Sequence, residues 1–310
     1  MRPSRRELLS AALLLPTAAA AGRYQLGITT NTRGGWEDDT WLAFREAKAA
    51  GFDFVETFPH YFREYLFHPS QPDQPEKLGE RLAEIGVRFV TISNGAPMEM
   101  HFEDPAKHAQ ILAEHARLAR FVQALGCTHL KCNAGPRKPG GTPLEDLRHL
   151  AEVYNRLGRS LSALGIKFAP HAHMWSQLEQ PDEVDFILRH TDPAHVWFVL
   201  DTGHITLAGM DPVALARRLG HRVVEFHLKD THAETRGGAR QRIERNDPLR
   251  DPVFFALGTS GGVDFPALRD HLEAISWRGW LTCELDSSPM RPPVESARLN
   301  RAYMRKVFGV

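Results

Sequence analysis

The sequence predicts an α/β fold of a single domain, a closed (β/α)8 barrel. Three observations predict it. Eight short apolar runs alternate with amphipathic stretches, the pattern of parallel strands joined by helices. No linker or shift in composition divides them. The turn after the first run reads Thr29-Thr30-Asn31-Thr32-Arg33-Gly34-Gly35 and lacks the Gly-x-Gly-x-x-Gly of a doubly wound nucleotide-binding sheet. A chain of 310 residues, 42% hydrophobic and 25% charged, has ordinary globular composition, which excludes disorder and low complexity. Its 38 basic and 38 acidic side chains cancel, so no overall field attracts a polyanion and nucleic acid is not an expected partner.

Residues 1–22 read as an export signal. Arg5-Arg6-Glu7 leads into Ala11-Ala12-Leu13-Leu14-Leu15, and small residues follow at 18–21. The paired arginines suggest the twin-arginine route and hence a periplasmic protein. That apolar run is too short to span a bilayer, so no membrane attachment is expected once the signal is gone. The signal carries Arg2, Arg5 and Arg6 against Glu7, which leaves the remaining domain, 23–310, two charges more negative.

The expected strands are 24–30, 52–58, 87–93, 128–133, 166–171, 196–201, 223–229 and 280–285. They are short and nearly continuous in apolar character, as strands covered on both faces should be. Between them, Asp104-Pro105 opens a helix whose Ile111, His115, Leu118, Val122 and Leu125 share a face before Gly126 stops it. Thr142-Pro143-Leu144-Glu145 reads as a capping box. Asp211-Pro212 and Asp264 start two later helices. A long connection at about 231–262 has little periodicity and contains Arg236, Arg240, Arg242, Arg245 and Arg250, which suggests a lid or a solvated excursion. Cys127 and Cys132 fall on opposite faces of one strand, so no disulfide is expected between them.

Barrel enzymes carry their chemistry at the C-terminal ends of the strands. Here those ends read Glu56, Asn133, His171-Ala172-His173, Asp201-Thr202-Gly203-His204, His227-Leu228-Lys229-Asp230 and Glu284-Leu285-Asp286. Burying so many ionisable groups at one end costs several kcal/mol each without a compensating charge, which a divalent cation would supply. Carboxylates and imidazoles without a thiolate make a mixed oxygen and nitrogen site. Manganese suits it best, and cobalt, zinc and magnesium also fit. Cys283 points away from the face that carries Glu284.

The same residues carry a resemblance. Asp201-Thr202-Gly203-His204, His227 at 26 residues further on, Lys229-Asp230 and Glu284 resemble the xylose isomerase-like TIM barrels. These include sugar phosphate isomerases/epimerases, ketose 3-epimerases, inosose dehydratase and C-glycoside deglycosidase subunits. Leu200, Ala208-Gly209-Met210-Asp211-Pro212 and His173-Met174 make the likeness to inosose dehydratase-like members strongest. The resemblance implies a divalent metal held by a Glu, Asp, His, Glu quartet, of which Asp201, His227 and Glu284 match the last three. The first position falls near residue 169, where this chain has Ala169, so His171, or alternatively His173, would supply that ligand.

The activity implied is that of a sugar or cyclitol isomerase/epimerase working through α-proton abstraction and an enediolate. A dehydratase or lyase of the inosose dehydratase or C-glycoside deglycosidase type is the alternative, and a non-catalytic periplasmic sugar-binding protein is the third reading. Glu284, His171 and His204 are the expected acid–base groups. His173, His204, Lys229, Asn133, Glu56 and Trp175 are expected to contact substrate, with Asp230 as an alternative partner for Lys229. An abasic-site endonuclease shares the fold but conflicts with the neutral charge and the export signal. Whether the chain forms a homo-oligomer is left open.

Overall fold

The computed structural model describes residues 23–239 and 252–310. The export signal at 1–22 and four of the lid arginines, Arg240, Arg242, Arg245 and Arg250, lie outside the described residues. Eight strands form one sheet: β1 (Tyr24–Thr29), β2 (Phe54–Thr57), β3 (Arg88–Ile92), β4 (His129–Asn133), β5 (Lys167–His171), β6 (Phe198–Asp201), β7 (Val223–Leu228) and β8 (Gly279–Cys283). The strands are ordered β3-β2-β1-β8-β7-β6-β5-β4, and every named ladder is parallel. β3 and β4 meet at a seam, where Thr91 Oγ1 donates to the His129 carbonyl at 2.8 Å and the Asn94 amide to the Lys131 carbonyl at 3.3 Å. The sheet thereby closes into the expected barrel.

Nine α-helices among the described residues surround it: α1 (Thr40–Ala49), α2 (Pro75–Ile85), α3 (His108–Ala124), α4 (Leu144–Ser162), α5 (Pro181–His190), α6 (Thr202–Leu207), α7 (Pro212–Leu219), α8 (Phe265–Ala274) and α9 (Pro293–Phe308). Asp39, Asp211 and Asp264 cap α1, α7 and α8 by accepting first-turn amide protons. On α4, Leu147, Leu150, Tyr154, Leu157 and Leu161 recur every three or four residues and are buried. Gly158 on that face permits close approach, since a Cβ there would lie 2.7 Å from the His195 carbonyl oxygen.

The expected capping box at Thr142 is not formed. Thr142 Oγ1 donates to the Gln177 carbonyl at 2.8 Å instead, and α4 starts after Pro143 with no side-chain cap. A reciprocal box forms at the start of α5, between Gln180 and Glu183. The three cysteines are buried and free. Among the described residues, no helix is long and apolar enough to cross a membrane.

Candidate metal centre

Strand register sets the height of each side chain. Asp201 pairs with His227, and His227 with Thr282, so Glu284 stands one inward step higher on β8. His171 is level with Asn133 on β4. Local hydrogen bonds then orient these side chains. Asp201 Oδ1 accepts the His204 amide at 2.8 Å and caps α6, which is why the strand ends in Asp-Thr-Gly-His. Thr202 Oγ1 donates to the Lys229 carbonyl at 2.9 Å and ties β6 to the chain leaving β7. Gly203 has to lack a side chain: a Cβ there would meet Lys229 Cγ at 2.3 Å.

His171, Asp201, His227 and Glu284 come together, each offering one ligand atom, with these atoms all within 4.8 Å of one another. Atoms bonded to one cation at 2.0–2.2 Å lie at most about 4.4 Å apart, so a small contraction would close the set. Two of the atoms show that the set is incomplete as it stands. His171 Nε2 and Asp201 Oδ2 are buried, face each other at 3.5 Å, and have no hydrogen-bond partner. On the other side of the ring, His171 Nδ1 donates to Asn133 Oδ1 at 3.0 Å, which leaves the Nε2 lone pair directed at the carboxylate. A lone pair opposed to a buried carboxylate oxygen is unfavourable unless a cation lies between them. Two oxygens and two imidazole nitrogens suit a borderline divalent metal, so the residues fit one. His173 instead belongs to a separate group with His204 and Asp286.

The metal-free electrostatics are those of a site short of positive charge. His227 is clasped by Glu284 through Nδ1 and by Glu56 Oε2 through Nε2 at 2.9 Å. Burial opposes its charge, but these two carboxylates prevail and push its pKa up to about 10. Burial raises Asp201 to about 7, with Lys229 opposing and Glu284 adding to the shift. Burial also opposes the charge on Glu284, yet His227 and Lys229 hold it well below the usual carboxylate range. Lys229 Nζ lies 3.1 Å from Asp201 Oδ2, off the direction a hydrogen bond requires, 3.3 Å from Glu284 Oε2 and 2.8 Å from Asp286 Oδ1. Burial drives the imidazoles of His171 and His204 well below their ordinary pKa, and His173 down to about 4.

Above this ring opens a cavity of about 220 Å³, with His171 and Glu284 in its floor and walls that include Phe58, Lys131, Asn133, His173, Trp175, Phe254 and Asp286. Asn133, His173 and Trp175 therefore face the cavity. Glu56, His204 and Lys229 differ from expectation: they are buried and absent from its lining, because they are engaged with His227, Asp286 and one another's neighbours. Lys229 also does not pair with Asp230, whose carboxylate accepts the amides of Thr231, Ser260, Gly261 and Val263 and anchors the long connection. The described end of that connection brings Phe254 to the cavity.

Strand-end reading did not single out Lys131 or Asn94. Lys131 lies on the inward face two residues before Asn133, a spacing that was legible. Asn94 follows β3 and accepts the Asn133 amide at 2.7 Å, a contact that only closure of the seam creates.

The xylose isomerase-like TIM barrel model matches residues 44–307, and the chain belongs to that family. The inosose dehydratase of Glaesserella parasuis serovar 5 (strain SH0165) is 29% identical over 242 residues, 73% of this chain and 80% of that protein. Several other relatives of the same name are matched over only about half of their length, 56% for that of Clostridium beijerinckii. A sugar phosphate isomerase/epimerase from Parabacteroides distasonis superposes with a TM-score of 0.69 at 18% identity, covering 93% of this chain and 96% of that one. The IOLI protein, solved with a bound zinc atom, superposes with a TM-score of 0.68 at 16% identity, covering 91% of this chain and 97% of that one.

Proposed function

We propose that the chain is a divalent-metal enzyme that removes the proton beside a carbonyl group of a keto-sugar or keto-cyclitol. The observation that carries this reading is the facing pair of buried atoms without a hydrogen bond, His171 Nε2 and Asp201 Oδ2, in a ring completed by His227 and Glu284. The donor set favours manganese, with cobalt, zinc and magnesium as alternatives. A bound cation would polarise the carbonyl and acidify the adjacent C–H.

The chain's own residues supply the rest. Glu284 reaches the cavity as a carboxylate kept unprotonated by His227 and Lys229, so it is the base for the C–H proton. Phe58, Trp175 and Phe254 offer faces for a sugar ring, and Asn133, His173 and Asp286 offer polar atoms for its hydroxyls. A cavity of about 220 Å³ is below the roughly 300–1,000 Å³ of drug-sized sites, which suits a single ring. After proton removal, return of a proton to carbon gives isomerisation or epimerisation. Loss of a neighbouring hydroxyl gives dehydration, the outcome favoured by the relatives named inosose dehydratase. We infer a periplasmic location from the twin-arginine-like leader read in the sequence.

The test is incubation of chelator-stripped and manganese-loaded protein in D2O with inosose and a set of ketohexoses, followed by NMR. The expected result is metal-dependent deuterium uptake at the carbon next to the carbonyl. Tight sugar binding with no exchange on any of them would make the chain a binding protein.

A further inference from the structure

Lys131 has no part in the metal centre, yet it is buried in the wall of the same cavity. It lies on β4, diametrically across an eight-stranded barrel from β8, which carries Glu284. Its ladder partner on β5 is Ala169, so no longer side chain competes with it from that strand at its level. Its ammonium sits 3.0 Å from Glu56 Oε1 and 5.8 Å from the ring centre of Phe58.

Glu56 is fixed in turn. Oε1 also accepts the Ser93 hydroxyl at 2.7 Å, and Oε2 meets His227 Nε2 at 2.9 Å. An ammonium has three N–H bonds. The ion pair with Glu56 engages one side of the ammonium, and Lys131 also lines the cavity, where it can donate to what binds there. Burial works against the charge on Lys131, but Glu56 and Glu284 overcome it and raise its pKa, so it is present as a cation at neutral pH. The cavity lining thus includes a carboxylate base that follows β8 and a proton-bearing cation on the diametrically opposite strand.

From this geometry, and resting on the α-proton chemistry proposed above, we propose that Lys131 is the catalytic acid of an elimination, which makes the enzyme a dehydratase rather than an epimerase. Glu284 takes the proton from the carbon beside the carbonyl, and the C–H electron pair moves onto the carbonyl oxygen as an enolate. The enolate then collapses. A C=C bond forms between the α and β carbons, the β C–O bond breaks with its pair on oxygen, and that oxygen takes a proton from Lys131 Nζ. One water leaves. Glu284 is left protonated and Lys131 neutral, and a proton returned through solvent restores both. No redox partner is required.

The experiment uses the manganese-loaded full chain with inosose and the same ketohexoses in D2O, following deuterium uptake and water loss together. For Lys131→Met, water loss should fall about 100-fold or more, the range for removal of a general acid. Deuterium uptake should stay within about threefold of wild type, because proton removal precedes the step that needs Lys131. Lys131→Ala should regain water loss when methylamine is added. Since Lys131→Met leaves Glu56 buried without its cation, a thermal melt and a manganese titration accompany it, and Lys131→Gln, which keeps polar atoms beside Glu56 but cannot give up a proton as an acid, should show the same selective loss. Parallel loss of both readouts in folded, manganese-loaded Lys131→Gln, or water loss within tenfold of wild type in Lys131→Met, would overturn the assignment. So would a wild-type enzyme that exchanges deuterium but never releases water, a result that leaves the proposed function standing. A wild-type enzyme with no exchange at all fails the proposed function itself.

Discussion

Glu225 and Asp201 are both fully buried carboxylates on neighbouring strands of one barrel, yet their surroundings differ. Glu225 Oε2 meets His129 Nε2 at 2.8 Å, and its Oε1 accepts the Thr282 hydroxyl, so both oxygens are used within the protein. Asp201 spends Oδ1 on capping α6, while Oδ2 has the Lys229 ammonium at 3.1 Å but no hydrogen bond, and faces an imidazole nitrogen that has none either. The two sit only one layer apart, bridged by His227, which belongs to both groups. A buried polar network that satisfies itself supports the fold, whereas one that stays incomplete has been kept for something the protein binds. In the lower layer the Glu225 carboxylate is fully paired and one atom, His129 Nδ1, lacks a hydrogen bond, whereas in the upper ring an oxygen and a nitrogen without hydrogen bonds face each other.

Asp201→Asn is the strongest challenge to that division. It keeps the helix cap but removes the ligand charge, so manganese affinity and activity should each fall by more than the roughly 100-fold typical of supporting residues, measured by calorimetry and deuterium exchange. Glu225→Gln should do the reverse. Disrupting a buried pair costs about 3 kcal/mol of stability by denaturant titration, with metal stoichiometry unchanged. Asn133→Ala frees His171 Nδ1 and should weaken manganese by roughly 10- to 100-fold while leaving the metal-free melt nearly unchanged.

The remaining expectation concerns pH dependence. The folded pKa of His227, about 10, lies above the unfolded value near 6.5, so its ion pairs contribute fully below about pH 6.5 and are lost as pH rises through 10. The metal-free melting temperature should therefore drop between pH 7 and 10. The manganese-loaded protein, whose His227 has already given up that proton, should hold level over the same range.

The fold and the upper ring were largely legible in the sequence, whereas the Glu225 and His129 layer was not. Every strand lies within two residues of its expected ends, because buried parallel strands leave a continuous apolar trace. The strand ends also pointed to Asn133, His171, Asp201, His227 and Glu284 as residues that could meet. Of His171, the first choice from the sequence, and His173, the alternative on the same strand face, His171 faces Asp201, and His173 Nδ1 turns to the Met174 carbonyl at 2.6 Å.

What escaped depends on contacts between strands distant in sequence. Lys131 looked like one polar residue in an apolar run until the ladder placed it beside Ala169 and across from Glu284. The preference of Lys229 for Asp201, Glu284 and Asp286 over the adjacent Asp230 follows from inward and outward alternation after β7, together with the room left by Gly203. Thr142 carried a valid local cap signal that lost to a tertiary hydrogen bond with Gln177.

The central claim is tested most directly by metal analysis and anomalous diffraction of the protein grown with manganese. The account predicts one divalent ion per chain, bound by His171 Nε2, Asp201 Oδ2, His227 and Glu284. Native protein that is free of metal with a melting temperature manganese does not move, or an ion lodged at His173, His204 and Asp286 instead, would contradict it.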